Sequence, residues 1–161
     1  MRDPARLRLR YYVVQRGEPM AEVRATSYRL HSEIKERLQR QASAEGISER
    51  ALLERLVAEG LDTLHHPGIV YRDGPTGRRA ALAMGPDVWE IVSALRHTRG
   101  AQERRVATLA EQFGLHPRHI RTAIDFAASH REEIDAQVAA NDAAAEEARR
   151  LAEGRARLMA S

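Results

Sequence analysis

The chain has 161 residues, enough for one medium domain or for two small ones with a tail. It is 43% hydrophobic but only 4% aromatic, a composition that builds thinly packed helices, and its net charge of +3 permits a nucleic-acid partner without requiring one. With no cysteine it excludes a disulfide framework, a thiol nucleophile and a thiolate zinc site, and no apolar run nears the roughly 20 residues that span a bilayer.

A cytoplasmic protein without a membrane partner is therefore expected. The charge is uneven: residues 1–40 hold ten Lys/Arg against five Asp/Glu, and residues 129–161 hold five against seven. A basic front and an acidic back suggest two partners rather than one.

Residues 1–22 form a basic arm (Arg2, Arg6, Arg8, Arg10, Arg16) with no helical period, and disorder is expected there. Met20 stands just before the first regular element. Two readings stay open: translation starting at Met20, or an arm that reaches the DNA backbone.

From Val23 to Leu30, Thr26, Tyr28 and Leu30 alternate with Ala25, Ser27 and Arg29, the period of a strand with one buried face. A helix follows, capped by His31 or Ser32, carrying Ile34 and Leu38, and stopped by Gly46. Ser48 caps a second helix with Glu49 in its first turn. Leu52, Leu53, Leu56, Val57, Leu61 and Leu64 form one broad stripe on it. Residues 23–65 are thus one strand-helix-helix unit.

Residues 66–128 form the next unit. Ile69-Val70-Tyr71 and Ala80-Ala81-Leu82 flank Asp73-Gly74-Pro75-Thr76-Gly77, which predicts a hairpin with a loop longer than two residues. Asp87 and Glu90 are spaced as a capping box for a helix with Val88, Ile91, Val92 and Leu95 on its core face. Arg99-Gly100 breaks it. The next helix carries Val106, Leu109, Ala110 and Phe113 and stops at Gly114; Pro117 opens another with Ile120, Ala123, Ile124 and Ala127. Ser129 and Glu132 suggest a second capping box opening a helical tail, 129–161, whose stripe is too narrow to dock firmly. The expected fold class is mainly α.

The strand-helix-helix buries too little surface to be stable alone, and a symmetric homodimer solves this. Two paired strands make a ribbon that fits the major groove of DNA. Ala25, Ser27 and Arg29 would then face the bases, with Arg29 able to donate two bonds to guanine. Arg24, and Ile47 and Ser48 at the amino end of the second helix, are candidate backbone contacts. This segment resembles the ribbon-helix-helix superfamily of the Arc and CopG type. Arg29-Leu30-His31-Ser32-Glu33-Ile34 matches its strand-to-helix junction, and Gly46-Ile47-Ser48 its interhelical turn. Ala25 departs from the polar residue often found at the first groove-facing site.

Leu109, Ala110, Phe113, Gly114, Leu115 and Ile120 fit a helix-turn-helix. Arg118, His119, Arg121 and Thr122, with Asp125, lie on its outer face as a possible second DNA contact, a protein contact or a solvated surface. Residues 66–128 resemble the small helical domain of bacterial VapB-type antitoxins, which pair with PIN-fold nuclease toxins. The usual Gly-Thr-Arg after the hairpin is replaced by Met84-Gly85-Pro86-Asp87.

The resemblance implies a type II antitoxin that binds operator DNA as a dimer and neutralises a PIN-type ribonuclease. Acidic residues gather round magnesium in such toxins, and an arginine delivered there would pair with them. Arg149, Arg150, Leu151, Arg155, Arg157 and Leu158 are the candidate toxin-binding residues. The arginines could equally pair along the helix with Glu146, Glu147 and Glu153. Gly154 would let this helix break. The alternative function is a free-standing ribbon-helix-helix repressor without a toxin, and a third is an adaptor whose ribbon serves dimerisation alone.

No metal, cofactor or catalytic role is expected. His116 and His119 are three apart, but no carboxylate or cysteine completes a set. Nor is there a nucleophile-base pair, phosphate loop or carboxylate dyad with a supporting motif.

Overall fold

The computed structural model describes residues 27–74 and 77–159. Mainly helical, it holds among these residues six helices and one antiparallel hairpin: α1 (Ser32–Glu45), α2 (Glu49–His65), β1 (Ile69–Gly74), β2 (Gly77–Leu82), α3 (Val88–His97), α4 (Gln102–Phe113), α5 (Pro117–Ser129) and α6 (Arg131–Met159). Two compact units divide the chain, residues 1–49 and 50–161. The division falls at the start of α2, after Glu49.

In the first unit, α1 buries Leu38 and Ala42, one turn apart. Gly46 ends it in the left-handed conformation (φ 67°), and the amides of Gly46 and Ile47 turn back to the carbonyls of Ser43 and Ala42. That double closure is a Schellman motif, and a residue with a Cβ would be strained there. Lys35 pairs with Glu49, and this bond holds the Glu49 carboxyl below its usual range.

The strand expected over Val23 to Leu30 is absent where it can be seen. Residues 27–30 carry no strand, and 23–26 lie outside the described residues. Tyr28 and Leu30, expected in a core, are 79% and 40% exposed. The physical reason is simple: a strand needs a ladder partner, and among the described residues the one sheet is the pair β1 and β2.

The second unit is built round α3, α4 and α5, with the hairpin and the start of α6 packed on them. Its core gathers Ile69, Leu82, Val88, Ile91, Leu109, Ile120, Phe126 and Ile134 among others. The 0, 3, 4, 7 stripes of α4 and α5 turn inward as their spacing requires. Phe126, the largest fully buried side chain, lies outside the predicted stripe.

β1 and β2 pair from Ile69↔Leu82 to Gly74↔Gly77. The ladder leaves two residues between the strands, where a longer loop was expected, and its tip pair is glycine on both strands, which tolerates a tight approach. The Asp87–Glu90 capping box forms at the start of α3.

Three expectations for the tail are corrected. The Ser129 hydroxyl donates back to the Asp125 carbonyl (3.3 Å), one turn earlier in α5, in place of the expected capping bond. The tail does dock at its start, where Ile134 and Val138 are buried. And α6 runs unbroken through Gly154 to Met159, since the surrounding Ala, Glu, Leu and Arg outweigh about 1 kcal/mol lost at one glycine.

Candidate nucleic-acid interface

Of the predicted base-contacting residues, Ser27 and Arg29 are described, and both are exposed on the segment leading into α1. Ala25 and the backbone candidate Arg24 lie outside the described residues. His31 takes the N-cap place with extended geometry (φ −58°, ψ 143°), so the chain enters α1 from an extended backbone. Ile47 has its amide engaged by Ala42, while Ser48 directly precedes α2 and is exposed.

α2 has two contrasting faces. One is fastened by polar side chains to the rest of its unit. Arg78 of β2 donates to both carboxylate oxygens of Glu59, one bond being 2.8 Å. The Tyr71 hydroxyl donates to Asp62 Oδ2 (2.6 Å), and the Thr63 hydroxyl reaches the Ile69 carbonyl (3.3 Å). Burial pushes the Tyr71 hydroxyl well above its ordinary range, and the Asp62 carboxylate beside it adds to the shift. These links explain why α2 belongs with the later residues.

The other face is bare. Leu56, Val57, Leu61 and Leu64 are between 48% and 75% exposed, with only Leu52 of the helix buried. At 100° per residue these four side chains spread over about 140° of the helix, on the side nearly opposite Glu59 and Asp62. Ile34 of α1 is also half exposed. A leucine-rich stripe turned to water is the main departure of this fold from ordinary burial.

A short turn joins α4 to α5, over the residues expected to form a helix-turn-helix. α4 ends at Gly114 (φ 64°), and α5 begins at Pro117 behind His116, whose Nδ1 accepts the Arg118 amide at 3.2 Å. Ile120, Ala123 and Phe126 point inward. On the outer face Arg121 pairs with Glu103 of α4, and the Thr122 hydroxyl donates to the Arg118 carbonyl (3.1 Å). Arg118 is exposed, donates to Nε2 of His119 (3.3 Å), and meets no carboxylate among the described residues.

The candidate toxin-binding residues all lie on the exposed stretch of α6, positions 139–159, about 30 Å of helix. Arg149 and Arg150 both approach Glu146 (3.4 and 3.6 Å), and Arg157 approaches Glu153 (3.6 Å). Arg155 has no such intrahelical carboxylate among the described residues. Leu151 and Leu158 are 66% and 81% exposed.

Sequence reasoning missed the ionic junction at Asp87. This carboxylate, 3% exposed, caps α3 and also meets Arg72 and Arg79 of the hairpin, each at 2.9 Å, and the Trp89 indole at 3.2 Å. The capping spacing was a visible signal; the two arginines, on separate strands, were not. No group of three or more histidines or acidic residues among those described could hold a metal ion. No helix among them is long and apolar enough to cross a membrane.

No family model matches the chain, and no curated protein or solved structure matches it either.

Proposed function

We propose that the chain is a type II antitoxin, a homodimer that binds operator DNA through residues 23–65 and neutralises a PIN-type ribonuclease through α6. The observation that carries this reading is the bare leucine face of α2; the Ser27–Arg29 segment, for its part, forms no strand among the described residues. A second copy would cover the leucines and complete the ribbon at once. Burying four such side chains twice over stabilises a dimer by roughly 8 kcal/mol or more before entropy is charged.

In the dimer the groove-facing residues are Ala25, Ser27 and Arg29, with Arg24, Ile47 and Ser48 toward the phosphates. Because the Ile47 amide is already engaged, the phosphate is held by Ser48 and the positive end of α2. The exposed reach of α6 supports a partner groove, and Arg155 is the arginine best placed to enter an acidic site. A free-standing repressor is the second reading, favoured by Arg118, which is open to a phosphate on the outer face of α5.

Sedimentation of the full chain, followed by titration into the duplex upstream of its own gene, tests the DNA half. A dimer that binds with steep salt dependence supports it; a monomer, or binding insensitive to salt, rejects it. Co-expression with the neighbouring short reading frame tests the toxin half. A stable complex that loses ribonuclease activity supports the antitoxin, whereas full DNA binding with no complex favours the repressor.

A further inference from the structure

His130 stands at the joint between α5 and α6, and its ring is enclosed on several sides. One face stacks on Phe126, with centroids 4.1 Å apart and planes 11° from parallel. His66 meets Phe126 and His130 edge-on, at 5.4 and 6.2 Å. Both ring nitrogens face acceptors: Nδ1 lies 3.0 Å from the Phe126 carbonyl oxygen, and Nε2 lies 3.1 Å from Asp62 Oδ1. A carbonyl and a carboxylate only accept, while a neutral imidazole owns a single N–H. Whichever tautomer it takes, the neutral ring satisfies one of the two. The imidazolium satisfies both.

Its charge also falls where a cation is favoured, against the last carbonyls of α5 and beside an aspartate. Asp62 is held from its other oxygen by Tyr71, so the carboxylate is aimed at the ring by a second bond.

We propose that His130 is a proton-operated latch that fastens α2 to the α5–α6 joint, tight when the ring is protonated and slack when it is neutral. The charged and titratable groups round the latch are Asp62 and Glu59 from α2, Tyr71 and Arg78 from the hairpin, Glu133 from α6, and His66. The carboxylates, tyrosine and arginine ordinarily hold one charge state between about pH 5.5 and 8, while imidazole changes its own. A charged His66 would oppose the latch, because two imidazolium rings repel. The doubly bonded ring exists only in the fastened state. Fastening is therefore strongest at the acid end of the range and weakens as pH rises. The Glu59–Arg78 link remains throughout, so α2 slackens without coming away. This latch does not depend on what the chain binds.

Amide hydrogen exchange of the full chain, corrected for intrinsic rate, tests it. Amides of α2 near Asp62 should open at least threefold less often at pH 5.5 than at pH 8. His130→Gln keeps one donor but cannot titrate, and should remove the difference; His66→Gln should retain it. Equal opening at both pH values in the wild-type chain, or an undiminished difference in H130Q, overturns the proposal. If H130Q does not fold, ring nitrogen spectra of the wild-type chain decide. Both His130 nitrogens protonated at pH 6 support the latch, and a neutral tautomer there overturns it.

Discussion

Asp87 and Arg79 form an ion pair at 2.9 Å in which the carboxylate is almost wholly buried, and Arg72 closes on the same carboxylate from the neighbouring strand. The pair welds the hairpin to the start of α3 and makes one aspartate both a helix cap and a counter-ion. Replacing it with alanine leaves two guanidinium groups facing a space without charge and removes the cap. Asp87→Ala should lower stability by about 3 kcal/mol in urea unfolding, and Asp87→Asn, which retains the cap, by clearly less. Equal losses would show that the charge, not the cap, matters.

The buried Tyr71 hydroxyl gives the fold an alkaline limit. Its titration is raised above that of an unfolded tyrosine, near pH 10, by burial and then by Asp62. The folded state therefore binds this proton more tightly, and the contribution is complete below about pH 10 and lost above it. Melting temperature should fall more steeply from pH 9.5 to 11 in the wild type than in Tyr71→Phe. At neutral pH the same variant should lose about 1 kcal/mol, one hydrogen bond's worth.

Burial separates two leucines of α2 that the sequence treats alike. Leu52 is fully buried and Leu61 is half exposed. Leu52→Ala should destabilise the monomer by about 2–5 kcal/mol. Leu61→Glu should leave the helical signal unchanged and shift the sedimentation profile from dimer to monomer. A dimer that tolerates glutamate at position 61 would move the interface elsewhere.

The docked start of α6 dictates how the tail is to be tested. Ending the chain after Ser129 would strip Ile134 from the core, so loss of function would mean little. Ending it after Asn141 keeps Ile134 and Val138. That chain should retain its melting temperature within a few degrees and lose its protein partner. Retained neutralisation would put the partner site in residues 66–128.

Much of this fold was legible because its signals are local. Gly46 and Gly114 stop helices by their own backbone preference, Asp87 and Glu90 cap by spacing, and Val106, Leu109 and Ala110 repeat at the helical period. The missed contacts join residues far apart in the chain. Asp62 and His130 are 68 positions apart, and no short-range pattern marks one for the other. Ser129 and Glu132 had the right spacing for a capping box but sit across a helix joint, where the hydroxyl finds a nearer acceptor. The strand expected up to Leu30 rested on an alternation of residues alone, and a strand also needs a pairing partner, which alternation does not specify.

On the proposed function, Arg29 reads DNA from a dimer. Fluorescence anisotropy with the duplex upstream of the gene, on wild-type and Arg29→Ala chains of confirmed dimeric state, tests it most directly. With two Arg29 side chains per dimer, the variant should bind at least tenfold more weakly, about 1.4 kcal/mol or more. Equal Kd values for the two proteins at the same salt concentration would contradict the account.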